Sequence, residues 1–102
     1  MSVVHVHPTN TPDFSGKCII KFSATWCGPC KAIAPHFELL AKETSGISFF
    51  HVDVDENTSL SEDYKITAMP TFIFLNDKKE VHRLQGANIV QLKNLTTKLS
   101  NM

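Results

Sequence analysis

The stretch Trp26-Cys27-Gly28-Pro29-Cys30-Lys31 decides the fold prediction, because it places two cysteines three positions apart where one structural pattern ends and another begins. The apolar run Cys18-Ile19-Ile20-Lys21-Phe22 precedes it and predicts a buried strand. A helical pattern follows, so both thiols fall on the first helical turn. The positive end of a helix favours a thiolate, which is the species that attacks a disulfide. The spacing therefore predicts a nucleophilic cysteine with a resolving partner.

Length and charge restrict the class of protein. A chain of 102 residues with 42% apolar residues predicts one domain over residues 1–102 with its own core. Ten basic residues balance ten acidic ones, which argues against nucleic acid or a membrane as the main partner. Three cysteines, an odd number, and an N-terminal segment without a signal-peptide pattern favour the cytosol. We expect a monomer.

Periodicity along the chain predicts an α/β fold. The elements follow the order βαβαββα with a weak or missing first helix, which implies a central mixed five-stranded sheet flanked by helices on both faces. Pro35 is expected to kink the helix after the cysteines. Strands are predicted at residues 3–6, 17–22, 47–54, 71–75 and 81–84, and helices from the cysteine pair to before Gly46, from 57 to about 64 and from 88 onward.

Four landmarks together make the chain resemble the thioredoxin family over nearly its whole length. Their order and spacing match, although each alone would be moderate evidence. The landmarks are Phe22-Ser23-Ala24-Thr25-Trp26-Cys27-Gly28-Pro29-Cys30-Lys31, Val52-Asp53-Val54-Asp55, Met69-Pro70-Thr71-Phe72 and Gly86-Ala87-Asn88.

The resemblance implies a role for each matching residue. Cys27 would be the exposed nucleophile, and Cys30 would resolve the mixed disulfide. Gly28 would keep bulk away from the partner, and Pro29 would stiffen the turn. Pro70 would be the family's cis-proline. An apolar rim around the nucleophile would comprise Trp26, Val54, Met69, Gly86 and Ala87, with Asp55 holding the tryptophan ring.

Other readings of the cysteines are weaker. A Cys-x-x-Cys pair can be half of a zinc site, but such a site usually needs four ligands and no second pair follows, so we expect no metal. Cys18 is expected to be an inert thiol within a buried strand. His5, His7, His36 and His82 match no ligand spacing.

Lys21 departs from the family, which normally carries a buried aspartate at this place. A charged ammonium there would favour thiolates, and a neutral amine could act as a base. Alternatively, its stem could carry the ammonium to water at the edge of the sheet. His51 is predicted on the neighbouring strand, where it could accept the proton or be purely structural. The short segment containing Pro8 and Pro12 places the first helix in doubt.

The resemblance implies a protein-disulfide reductase recharged by a thioredoxin reductase drawing on NADPH, with no cofactor bound to this chain. Its substrates would be disulfide-containing proteins. Two alternatives remain at this point: a redox-dependent protein-interaction module, and a disulfide oxidase or isomerase domain.

Overall fold

The computed structural model describes residues 2–102 and contains a five-stranded sheet with three helices. From β2 onward the order is βαβαββα, as predicted, and a short β1 precedes it. The elements are β1 (Val4–His5), β2 (Lys17–Ser23), α1 (Gly28–Glu43), β3 (Ser48–Asp53), α2 (Thr58–Asp63), β4 (Thr71–Asn76), β5 (Lys79–Gln85) and α3 (Ile89–Ser100).

The sheet is mixed, and its strand order is β1-β3-β2-β4-β5. β3 runs parallel to both β1 and β2, whereas β4 runs antiparallel to both β2 and β5. β2 is therefore the central strand, which explains its nearly continuous apolar sequence: both of its faces are covered. The active-site segment follows β2 directly and so leaves the middle of the sheet.

Two apolar clusters cover the two faces of the sheet, as alternation along the strands requires. On one face Phe22 and Ile73 pack with Leu60 of α2. On the other face Phe37 of α1 and Leu92 of α3 pack with strand residues such as Phe72. The prediction of helices on both faces is confirmed.

The two predicted strands at 71–75 and 81–84 form a hairpin, with a tight turn at Asp77 and Lys78. Both residues have positive φ angles, 48° and 72°, which match the two-residue turn suited to the twist of paired strands. The Asp77 carboxylate accepts from the Gly16 amide at 3.1 Å, and the Gly16 carbonyl accepts from the Asp77 amide at 2.9 Å. The hairpin is thereby tied to the start of β2.

No helix forms between β1 and β2 in the described chain, in agreement with the short proline-containing segment there. Phe14 anchors this segment by packing edge-on against Phe50, with ring centroids 5.1 Å apart. α1 continues through Pro35 as one helix, and the predicted kink stays a prediction. Within residues 2–102, none of the helices has the length and apolar character needed to cross a bilayer.

Candidate active site

The two cysteines lie at the point where the chain leaves β2 and begins α1. Cys27 is the N-cap of α1, and Cys30 lies in its first turn. They form a disulfide with Cα atoms 5.3 Å apart. The Cys27 sulfur also accepts from the Cys30 amide at 3.2 Å, as a capping side chain does. After reduction, this amide and the helix dipole would stabilise a thiolate on Cys27.

The expectation of an exposed Cys27 needs correction. Cys27 is 6% exposed and Cys30 is 3% exposed, because both pack with Ala24, and Val54 and Met69 pack against this cluster. Gly28 beside them is exposed, and a Cβ added to it would meet no atom within 4 Å. Packing among the described residues does not demand glycine here, and the role of Gly28 in leaving room for a partner stays a prediction. Pro29 occupies the start of α1, where a missing N–H costs no hydrogen bond.

Trp26 is the largest exposed apolar side chain next to the disulfide. It is 67% exposed, and its indole N–H donates to the Asp55 carboxylate at 2.8 Å. The amide of Asp55 in turn donates to the Asp53 carboxylate at 2.9 Å. Asp55 therefore holds the tryptophan ring, as the resemblance implied, and leaves its face free to contact a partner.

The remaining rim residues lie in three later loops, which follow β3, precede β4 and follow β5. Val54 and Met69 pack against the cysteine cluster. The Met69–Pro70 peptide is cis, and Pro70 is buried. Gly86 joins the site through its amide, which donates to the Pro70 carbonyl at 2.8 Å, and its φ of +96° favours glycine. Ala87 follows on the surface.

Cys18 lies away from the disulfide and is buried, as predicted. It is 1% exposed, its thiol donates to the Ser15 carbonyl at 3.3 Å, and burial raises its pKa. A buried thiol with a raised pKa is a poor nucleophile.

We expect Cys18→Ala to retain disulfide reduction and to lose about 1 kcal/mol of unfolding free energy through the small cavity it leaves. Urea unfolding and a turnover assay on the same preparation measure the two effects. A folded Cys18→Ala protein that lost turnover as Cys27→Ser does would contradict the assignment.

Lys21 does not reach water at the edge of the sheet, so that alternative is wrong. It lies on the central strand, is 6% exposed, and places its Nζ 5.4 Å from the centroid of the Phe37 ring. Burial lowers the pKa of this amine, an effect that Glu38 partly offsets. Lys21 also lines a cavity of about 510 Å³ that extends to Cys30 and Glu38.

Because its pKa is lowered, Lys21 binds a proton less readily in the folded protein than in the unfolded chain. Its contribution to stability is therefore most favourable above pH 10.5, its ordinary pKa, and is lost as the pH falls. We expect Lys21→Met to raise the unfolding free energy by about 1 kcal/mol near neutrality. Denaturant unfolding near neutrality and above pH 10.5 tests this, with exposed Lys93→Met as the control. An equal rise in the unfolding free energy of Lys21→Met and Lys93→Met would contradict the prediction.

His51 lies next to Lys21, because these residues are register partners on parallel strands and share one face. The predicted neighbouring strand is thus confirmed. His51 Nε2 lies 2.7 Å from the Ser23 hydroxyl, and its Nδ1 lies 3.1 Å from Nδ1 of His5. His5 Nε2 in turn contacts the Glu56 carboxylate at 2.8 Å. The sequence did not indicate that Ser23, His5 and Glu56 belong to this site. The pairing of β2 with β3 brings Ser23 to His51, and the pairing of β1 with β3 brings His5 there.

Burial, followed by the charges of Lys21 and His5, lowers the pKa of His51 from 6.5 to about 4. The unfolded chain therefore takes up this proton first, so the stability contributed by neutral His51 is lost as the pH falls from 6.5 towards 4. Over this pH range we expect the unfolding free energy of wild type to fall by on the order of 1–2 kcal/mol more than that of His51→Gln. This figure allows for the partial exposure of the His51 side chain. Denaturant unfolding curves at several pH values between 6.5 and 4 measure how steeply the unfolding free energy falls with pH. The exposed His7→Gln variant is the control. Equal slopes for wild type and His51→Gln would contradict the prediction.

Three exposed side chains near this network could hold a metal ion. Ligand atoms of His5, His7 and Glu56 lie within 4.8 Å of one another. His5 and Glu56 already pair with each other at 2.8 Å. This cluster was not evident from spacing, because His5 lies in β1, His7 just after β1 and Glu56 in the loop after β3.

The fold and the site define a class: a small α/β protein whose cysteine pair can open and close as a disulfide at a helix N-terminus. Comparison with known proteins agrees. The thioredoxin family model matches residues 9–100. A thioredoxin H-type of Fagopyrum esculentum is 49% identical over 74 residues, which cover 72% of this chain. The chain belongs to the thioredoxin family.

Solved structures support the same assignment. The Fasciola hepatica thioredoxin aligns with a TM-score of 0.80 and 46% identity, covering 82% of this chain and 81% of that one. The Nicotiana alata thioredoxin aligns with a TM-score of 0.88 and 30% identity, covering 95% and 91%. The match to the Fagopyrum protein, however, spans only 64% of that relative's length.

Proposed function

We propose that this protein is a cytosolic protein-disulfide reductase, with Cys27 as nucleophile and Cys30 as resolving cysteine. One observation carries the proposal: Cys27 caps α1, and its sulfur accepts the Cys30 amide at 3.2 Å. A sulfur in this position is stabilised as the thiolate once the disulfide opens. Membership of the thioredoxin family supports the same chemistry.

The reaction divides into two exchanges that each conserve charge and electrons. The Cys27 thiolate attacks one sulfur of the substrate disulfide, forms a mixed disulfide and releases the other substrate sulfur as a thiolate. The Cys30 thiolate then attacks the Cys27 sulfur, closing the Cys27–Cys30 disulfide and releasing the second substrate thiolate. The substrate gains two electrons and the protein loses two.

The apolar rim suits a protein substrate. Trp26 offers an exposed ring, and Val54 and Met69 flank the cysteines. We propose that the Met69 backbone pairs with an extended substrate segment, in the manner of a short added strand. The substrate side chains would then rest on the rim while the disulfide meets Cys27.

Recharging requires an external reductant, because each turnover leaves Cys27 and Cys30 oxidised as a disulfide. We propose that a thioredoxin reductase supplies electrons from NADPH and that this chain binds no cofactor. The balanced net charge argues against nucleic acid or an anionic membrane surface as the main partner. We propose that it acts as a monomer.

The test couples NADPH, a thioredoxin reductase and a disulfide-bonded protein substrate, and follows NADPH consumption with and without this protein. We expect consumption only when all three proteins are present. A protein that binds the substrate when reduced but supports no consumption would instead be a redox-dependent interaction module. Net formation or shuffling of substrate disulfides would indicate an oxidase or isomerase.

A further inference from the structure

Two histidines and a glutamate converge at the edge of the sheet that β1 forms. One donor atom from each of His5, His7 and Glu56 lies within 4.8 Å of the other two, and all three residues are exposed. His5 Nε2 already lies 2.8 Å from the Glu56 carboxylate. Two imidazole nitrogens and one carboxylate oxygen form a donor set that suits zinc and its neighbours in the first transition row.

The backbone holds both histidines in place. Their rings lie on the same side of the chain and meet edge-on, with centroids 4.9 Å apart, as side chains two positions apart on an extended segment do. β1 pairs with β3 through His5, and the Val6 amide continues this pairing by donating to the His51 carbonyl at 2.9 Å. The His7 carbonyl accepts from the Asn10 amide at 3.1 Å. The two imidazoles therefore start from fixed backbone positions.

Glu56 is fixed in the turn that follows β3. Its amide donates to the Asp53 carboxylate at 3.3 Å, and the Asn57 amide donates to the Asp53 carbonyl at 2.9 Å. Asp55 belongs to the same turn and accepts the indole N–H of Trp26, the only tryptophan of the chain. An ion held by Glu56 would thus lie one residue away from the partner of Trp26.

His51 supplies the outer support that metal-bound histidines require. Such a histidine donates its second ring N–H to an acceptor, which fixes the orientation of the ring. Nδ1 of His5 lies 3.1 Å from Nδ1 of His51, and Nε2 of His51 lies 2.7 Å from the Ser23 hydroxyl. With His5 Nε2 on an ion, its Nδ1–H donates to His51, and the Nε2–H of His51 donates to Ser23. Ser23 is 5% exposed, so this support reaches into the core.

We propose that His5, His7 and Glu56 bind one zinc ion and that His51 positions the ring of His5. The ion replaces the proton between His5 and Glu56, and water takes the fourth position, which the exposure of the ligands leaves open. Donors about 2.1 Å from a tetrahedral ion lie about 3.4 Å apart, so rotation of the exposed side chains must close gaps of up to 4.8 Å.

This site is independent of the proposed function. Zinc neither gains nor loses electrons here, so it takes no part in disulfide exchange. Its physical effect is to fasten β1, a strand of only two residues at the edge of the sheet, to the turn after β3. Because an ion that binds only the folded chain stabilises it, we expect the melting temperature to rise with zinc concentration.

Isothermal titration calorimetry with zinc chloride measures the affinity and the stoichiometry. The disulfide-oxidised protein is used, so that the thiols of Cys27 and Cys30 cannot bind the metal. We expect one ion per chain. Loss of an outer partner of a metal ligand weakens binding by about tenfold to a hundredfold, so loss of a ligand itself, in His7→Ala or Glu56→Gln, should raise the Kd by about a hundredfold or more.

The positioning role of His51 has its own variants. His51→Leu removes the acceptor for the His5 ring and should raise the zinc Kd by about tenfold to a hundredfold. His51→Gln keeps an acceptor oxygen and should recover part of the affinity. His36→Gln is the matched control, since it removes a histidine of α1 that lies outside the cluster. We expect its Kd to equal that of wild type.

Cobalt(II) reports where the ion sits. A tetrahedral cobalt site gives visible absorption bands, and cobalt quenches the fluorescence of a nearby tryptophan. We expect both signals to saturate at one equivalent in wild type, because the ion on Glu56 lies close to Trp26. Both signals should be largely lost in Glu56→Gln at the same cobalt concentration.

Three results would overturn the proposal. The first is an absence of saturable zinc binding by the oxidised wild-type protein. The second is an equal Kd for wild type, His7→Ala and Glu56→Gln, which are exposed positions where substitution should leave the fold intact. The third is an equal loss of affinity in His36→Gln, since binding would then follow the number of histidines. An unchanged Kd in folded His51→Leu would remove His51 from the site.

Discussion

Cys27→Ser abolishes disulfide reduction: we expect turnover with reductase and NADPH to fall about a thousandfold or more, because a serine hydroxyl does not ionise near neutrality and cannot form the mixed disulfide. The fold should survive, since the hydroxyl can cap α1 as the sulfur does and accept the Cys30 amide. NADPH consumption at saturating reductase measures the loss.

Cys30→Ser provides the contrasting variant. It keeps the attacking thiol but removes the resolving one, so it should accumulate substrate as a covalent complex on Cys27. Non-reducing gel electrophoresis and mass spectrometry identify that complex, and a reducing agent should release it. Cys18→Ala serves as the cysteine control. Capture by Cys27→Ser through Cys30, rather than by Cys30→Ser, would reverse the two assigned roles.

Phe37→Ala has the largest expected effect on stability. The Phe37 side chain is fully buried between Phe49 and Phe72, with ring centroids at 5.3 and 5.5 Å. Removing it leaves a cavity between α1 and the sheet and should lower the unfolding free energy by about 3–5 kcal/mol. That is a large share of the roughly 5–15 kcal/mol typical of a domain. Denaturant unfolding measures the loss directly.

Leu39→Ala is the matched control, since it makes a comparable truncation on the exposed face of the same helix. Leu39 is 52% exposed, and we expect a change of about 0.5 kcal/mol or less. A loss for Leu39→Ala as large as that for Phe37→Ala would contradict the assignment of the loss to burial of the ring, since alanine is the better helix former at both positions. The position of Phe37 beneath the Lys21 ammonium also means that its loss should disturb the cavity wall near the active site.

Much of the fold could be predicted from local patterns. The apolar run around Ile20 predicted a buried strand, and the sequence pattern predicted helices from 57 and from 88 onward. Asn57 and Asn88 are the N-caps of these two helices. Each cap side chain accepts a backbone amide three residues on, Leu60 and Gln91 respectively. These features depend on neighbours within one turn of chain, which is why the sequence pattern sufficed.

The active site was predictable to a similar degree where it depends on contiguous residues. The cysteine pair and its place at a helix start follow from the stretch Trp26 to Lys31 and the patterns on either side of it. The role of Asp55 came from family resemblance, and the contact with Trp26 confirms it. The exposure of Cys27 was predicted wrongly, because its burial depends on packing against Ala24 and on later segments that carry Val54 and Met69.

The sequence by itself determined the class of this protein: the order of elements, the covered central strand and a dithiol at a helix N-terminus, all of which arise from short-range periodicity and capping. Only the tertiary structure decided what surrounds Lys21 and Cys30. The hydrogen-bonded contacts among Ser23, His51 and His5 join three different strands, and they depend on the register in which β1 and β2 pair with β3. Register is a long-range property, because a shift by one residue would turn His51 to the opposite face of the sheet.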